Sequence, residues 1–182
     1  IVFGDWSSDV CSSDLRAGGL SEFLQSRYGM YLNGIMLVSS ILNFITARFT
    51  PGNDLPFILF LPTYTATAWY HKKLAPELQK DLRKTLDEVE EFALNDYTLA
   101  LMKGSQLKGK ERKAIIDKLA YFTGLSKEYI DQTNLRINIH RFTKELRRKE
   151  GITVGRLDSR YTGYDKDGVG EYYESDPSYD AI

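Results

Sequence analysis

Cysteine is nearly absent from the sequence. Of 182 residues one is Cys and two are His. A lone thiol cannot build a disulfide framework. The two imidazoles, His71 and His140, have no HxxxH spacing and no Cys partner at metal spacing. Both read as surface or cap histidines, and no metal or cofactor is expected. Long hydrophobic runs are lacking as well: the longest apolar stretches, residues 35–38 and 56–62, fall far short of the roughly 20 residues needed to cross a bilayer. Charge of one sign is missing too. The 24 basic residues face 25 acidic ones, a net charge of -1, too small to draw the chain to nucleic acid or an anionic membrane. The first residues show no charged segment followed by an apolar run of the kind that directs export.

What is present is an ordinary globular composition, 42% hydrophobic and 27% charged, with 12 Tyr. One stretch stands apart. Asp5 to Leu15 reads DWSSDVCSSDL, a Ser/Asp-rich run with neither a period of two nor one of 3.6. It resembles the translation of a common sequencing-library adapter, and residues 1–15 are read as foreign to the fold. Cys11 goes with them. Taking Asp5, Asp9 and Asp14 from the 25 acidic residues leaves 22 against 24 basic, a net charge of +2, which still gives no nucleic-acid surface.

From Arg16 the patterning is regular. Leu20, Phe23, Leu24 and Tyr28 recur at helical spacing, with Gly29 as the C-cap. Residues 35–38 form a near-continuous apolar run bounded by Gly34 and Ser39, as a strand buried on both faces of a parallel sheet would. The apolar run at residues 55–61 is closed by Pro62, and residues 63–71 predict a buried helix. Pro76 is placed near the start of a long helix whose stripe includes Leu78, Leu82, Leu86, Val89, Phe92, Tyr97 and Leu101 and which ends at Gly104. A further helix, at residues 110–123, stops at Gly124. Ser126 is the N-cap of the next, with Leu125 and Ile130 as its staple. Residues 134–150 give one more amphipathic segment closed by Gly151, and residues 156–182 read as loop.

Three stretches carry a resemblance to a known family: RAGGLSEFLQSRYGMYLNGIMLVSSILNF from Arg16, GNDLPFILFLPTYTATAWYHKKL from Gly52, and GRLDSRYTGYDKDGVGEYYESDPSYDAI from Gly155. Together they resemble the middle of the bacterial branch of the serine carboxypeptidases. The resemblance implies a fragment of an α/β-hydrolase, with one or two core strands and a mostly helical cap. Its parts are residues 16–55 in the core, 56–154 in the cap and 155–182 as a loop-rich return toward the core. In that family a Gly-x-Ser-x-Gly elbow places the nucleophile just before a helix start such as Ala17, Gly18 and Gly19, the place where the Ser/Asp-rich run stands. No Ser of the chain has that context. The acid and base follow in the order Ser, Asp, His and are expected beyond Ile182, so no catalytic residue is carried over and the chain as given is expected to be inactive.

The resemblance further implies a peptide substrate, hydrolysed from its C-terminus, and a periplasmic or secreted location. Ligands of open α/β sheets sit beyond the carboxyl ends of strands, which makes Ser39, Ser40 and Asn43 candidate cleft residues, with Tyr64 and Tyr70 as aromatic walls from the cap. The alternative is a helical peptide-binding module without chemistry.

Three further signals have plain readings. Asp165, Asp167, Gly168 and Glu174 partly fit a calcium loop, but its first position would be Gly163, which offers no side-chain oxygen, so an Asp/Gly turn is expected. Arg141, Lys144, Arg147, Arg148 and Lys149, interleaved with Glu145 and Glu150, predict a solvated helix face. Asp87, Glu88, Glu90 and Glu91 likewise predict a solvated face.

Overall fold

The structure is a computed structural model and describes residues 10–36, 41 and 43–179. The chain divides into two units, Ile1–Ala47 and Arg48–Ile182. In the first, helix α1 covers Val10–Tyr28 and so begins inside the Ser/Asp-rich run. Gly29 ends it at φ +62°, and the N–H groups of Gly29 and Met30 donate to the Gln25 and Leu24 carbonyls, which the last turn leaves open. Further along, Asn43 caps a 3-10 turn, Phe44–Thr46, its side chain accepting the Ile45 N–H at 3.1 Å.

The expected parallel core strand is not found among the described residues. Ile35 and Met36 are exposed and belong to no strand; residues 37–40, with Ser39 and Ser40, lie outside the described residues. A strand buried on both faces needs hydrogen-bonded neighbours along its edges, and no described residue supplies one. The fold is α-rich with a little sheet. Among the described residues the sheet is one antiparallel pair, β1 at Thr153–Val154 and β2 at Thr162–Gly163, and no α/β-hydrolase sheet is formed. β2 lies in the segment read as loop.

The second unit holds α2 at Leu55–Leu59, α3 at Leu61–Tyr70, α4 at Leu82–Phe92, α5 at Thr98–Lys103, α6 at Gly109–Thr123, α7 at Lys127–Gln132 and α8 at Ile139–Glu145. Pro62 opens a helix rather than closing a run, because it sits in the first turn of α3, where a missing N–H leaves no bond unmade. The long helix starts later than Pro76. Asp81 is its N-cap, accepting the Lys84 N–H at 3.1 Å. A π-helical turn at Ala93–Tyr97 joins α4 to α5 and shifts the helix phase. Phe92, Ala93, Tyr97, Ala100 and Leu101 thereby stay buried while Leu94 and Leu99 face outward.

α3 packs against α4 and α6, and α6 against α7. Leu61, Tyr64 and Ala68 of α3 join Val89, Leu119, Ile130, Phe142 and Val154 in one core. Each such large side chain contributes about 1.5–3 kcal/mol on burial. α6 ends at Gly124, whose φ of +70° and approach to the Lys73 carbonyl leave no room for a Cβ. Ser126 then caps α7, accepting the Tyr129 N–H at 3.2 Å. The amphipathic segment from residue 134 is only partly helical: Asn134 and Leu135 adopt positive φ, and α8 waits for its cap, Asn138.

Candidate functional site

The richest assembly of polar side chains lies where α8 meets residues 155–179. Arg141 and Lys144 fall on one face of α8, three residues apart, Arg148 opens the 3-10 turn that follows, Arg148–Glu150, and each of the three grips the same segment. Arg141 Nη2 stands 2.6 Å from Glu171 Oε2. Lys144 Nζ donates to Asp165 Oδ2 at 2.7 Å and to the Tyr172 carbonyl at 3.0 Å. Arg148 donates to the Gly168 carbonyl and, through Nη2, to that of Gly170 at 2.9 Å. The solvated face expected for this basic run is therefore half right. Arg147 and Arg148 do pair with Glu150 and Glu145, but Lys144 is 4% exposed, because its ammonium has a buried carboxylate to meet.

Asp165 organises the turn at the partial calcium motif. Its Oδ1 accepts the N–H groups of Lys166 and Glu174, and its other oxygen holds Lys144, a cation carried by the chain itself. Burial pushes the Asp165 carboxyl up, but the bonds from Lys144, Glu174 and Lys166 outweigh it and hold the group below the ordinary carboxylate value. No group of His, Cys, Asp and Glu among the described residues is arranged to hold a metal.

A second knot secures the end of the segment. Asp176, 4% exposed, accepts from Ser178 Oγ, from the Ser178 N–H at 3.0 Å, from the Arg156 N–H at 3.1 Å and from the Tyr173 hydroxyl at 3.1 Å. Burial raises its carboxyl, and these donors bring it below its usual range. His140 Nδ1 lies 3.4 Å from the Tyr173 hydroxyl. A serine, a carboxylate and a histidine thus occur together, but not as a catalytic triad: Ser178 gives its proton's hydrogen bond directly to the carboxylate, is 1% exposed, and is separated from the imidazole by Tyr173. In a triad the imidazole must take the hydroxyl proton. The cluster can hold a chain segment; it cannot generate a nucleophile.

The cleft residues expected from sequence do not come together. Ser39 and Ser40 lie outside the described residues, and Asn43 is a turn cap in the first unit. Tyr64 is 1% exposed, donating to the Ile137 carbonyl at 3.3 Å and stacked on Phe142; it is core and has no face free to wall a cleft. Tyr70 is half exposed, edge-on to His71. Two shallow grooves lie elsewhere on the second unit. One, of about 470 Å³, is bordered by Glu88, Glu91, Phe92, Asp96, Lys118 and Tyr121; the other, of about 520 Å³, by Asp54, Ser105, Arg112, Asn134 and Arg136.

The residues that sequence reasoning passed over are Arg156, Asp176 and Ser178; Lys144 and Asp165 were marked, but not as partners of one another. Spacing at 141, 144 and 148 signalled a shared face, but nothing local said that a distant loop would cover it. No protein-family model, no curated protein and no solved structure matches the chain.

Proposed function

We propose that the intact protein is a serine-type carboxypeptidase of the α/β-hydrolase fold, and that this chain supplies mainly its helical cap. The observation that carries the proposal is the segment beginning at Gly155. GRLDSRYTGYDKDGVGEYYESDPSYDAI, one of the three stretches that together resemble the family, includes both polar knots, at Asp165 and Asp176, and a stretch that makes so many defined contacts is built for a particular shape. In the intact protein an elbow serine, activated by a histidine and an aspartate, would form an acyl-enzyme with the peptide carbonyl and release the C-terminal residue. None of the three is supplied by this chain.

The test is covalent labelling by a fluorophosphonate. This chain is expected to remain unlabelled, whereas the protein translated from a resequenced locus is expected to label stoichiometrically and to shorten peptides from the C-terminus. A resequenced locus without a Gly-x-Ser-x-Gly elbow, or an unlabelled product from it, would overturn the proposal. A peptide-binding module without chemistry is the second reading. It is favoured by Tyr161, Tyr164, Tyr172 and Tyr179, all exposed on the same segment, Tyr164 at 86%; peptide binding by a protein that never labels would support it.

A further inference from the structure

Two arginines meet at one residue. Arg112 of α6 donates through Nη1 to Asn134 Oδ1 at 3.1 Å, and Arg136 donates through Nη1 to the Asn134 carbonyl at 3.3 Å. Each fork is also held by a carboxylate: Arg112 by Asp131, at 2.9 Å from Nε and 2.6 Å from Nη2, and Arg136 by Asp54. Asn134 and Leu135 take φ of +52° and +67°, a conformation that residues with a Cβ adopt only at a cost. The surroundings must hold it, and the two guanidiniums are part of what does. Strain of this kind gathers where ligands bind.

Both arginines line the groove of about 520 Å³ with Gly104, Ser105, Leu107 and Asp54, a volume in the range of small-molecule sites. A guanidinium carries five N–H hydrogens. Arg112 uses four and Arg136 three in bonds to the chain, which leaves both with hydrogens to offer. Lys108, Lys110 and Lys113, on either side of Arg112, are exposed and form no ion pair among the described residues. Positive charge at the start of α6 opposes the helix dipole, so the helix gains nothing from it.

We propose that this groove binds a small phosphorylated molecule, its phosphate oxygens accepting from Arg112, Arg136 and the Ser105 hydroxyl. Planar forks suit phosphate oxygens. Both are set in place by their carboxylates beforehand, which lowers the cost of ordering them on binding. Those carboxylates balance the two arginines, and the unpaired lysines supply the excess charge that a dianion needs. A monocarboxylate would engage one fork and leave the other idle. The site lies on the helical unit and owes nothing to an elbow serine.

Amide shifts of the full chain, followed by NMR as inorganic phosphate is added at pH 7.5 and constant ionic strength, test the site. Saturable shifts at Ser105, Arg112, Asn134 and Arg136 are expected, and none with acetate or chloride. Glycerol 3-phosphate is expected to shift the same residues and to bind more tightly, since the groove has room for the ester. Arg112→Lys keeps the charge and loses the fork, and is expected to weaken binding about tenfold. Lys108→Gln/Lys110→Gln alters exposed side chains alone, decides the matter if Arg112→Lys does not fold, and is expected to weaken binding several-fold. No saturable shift, the same response to acetate, an ester bound no better than free phosphate, or unchanged affinity in either folded variant would overturn the proposal.

Discussion

Arg136 grips Asp54 from 82 residues away, with Nε 2.6 Å from Oδ1 and Nη2 2.7 Å from Oδ2. The pair closes the helical unit. Asp54 immediately precedes α2, and Arg136 follows Asn134 and Leu135, the two positive-φ residues that interrupt the chain before α8. Both side chains are 28% exposed, between the limits of a solvated pair and a buried one. Arg136→Lys keeps the charge and loses the two-pronged geometry. We expect it to lower stability by about 1–2 kcal/mol, read from the midpoint of urea unfolding. An unchanged midpoint would show that the pair contributes charge alone.

The side chains of Lys144 and Asp165 are 5% and 7% exposed, so removing one partner strands a charge away from water. Lys144→Met is expected to cost about 3–5 kcal/mol, and Lys144→Met/Asp165→Leu much less, since a buried pair replaced as a whole leaves nothing uncompensated. Because the Asp165 carboxyl lies below its ordinary value of 3.8 in the folded chain, its contribution is complete above about pH 4 and lost as pH falls through lower values. Thermal unfolding of the single and double variants at pH 7 gives the coupling. Equal costs for both would contradict this account.

Tyr97 donates its hydroxyl to the Leu135 carbonyl at 2.5 Å, and burial pushes that hydroxyl well above its ordinary value. Tyr97→Phe leaves the Leu135 carbonyl unpaired at a positive-φ residue, and we expect a loss of about 1–3 kcal/mol. Tyr64→Phe, which gives up a longer bond to the Ile137 carbonyl, is expected to cost less. Denaturant unfolding ranks the two, and the reverse order would sink the reasoning.

Gly155 follows β1, and a Cβ placed there would come 2.5 Å from the Asp158 carbonyl and 3.1 Å from Ser178 Cβ. Gly155→Ala is expected to destabilise by about 1–3 kcal/mol and to expose residues 156–179 to protease. Gly168→Ala is the control: nothing lies within 4 Å of its Cβ position, and its effect is expected to stay within about 0.5 kcal/mol. Limited proteolysis of both variants distinguishes local clash from a general intolerance of the segment.

Punctuation was the most legible feature of the sequence. Gly29, Gly124 and Ser126 mark helix ends where the rules for caps place them, because capping depends on a few neighbouring residues and their backbone angles. Asp81 shows the limit of such rules. Pro76 and Asp81 are both acceptable near a helix start, and the choice fell to Asp81 once Leu78 was buried and the Leu78 carbonyl had accepted the Thr85 hydroxyl and the Trp69 indole N–H. The π turn at Ala93–Tyr97 was equally invisible, since the apolar stripe reads well at a constant period until packing demands that Tyr97 and Ala100 face inward together.

The candidate cleft was the least legible. Tyr64 and Tyr70 lie six residues apart on α3, yet one is core and the other exposed. Aromatic content marks both for burial or recognition without choosing, and the choice came from Phe142 and the Ile137 carbonyl, more than 70 residues away.

By itself the sequence determined that the second unit is built from amphipathic helices, where they end, and that neither net charge nor cysteine nor a spanning helix organises it. These properties are local or additive, so they are written in short windows and in sums. Only the tertiary structure decided what the basic residues of α8 and of the turn after it hold, that Lys144 meets Asp165, and that both histidines lie against the segment that follows β1. Each of those depends on two stretches, far apart in sequence, arriving at the same place, and the free energy that fixes them there is that of removing paired charges and carbonyls from water together.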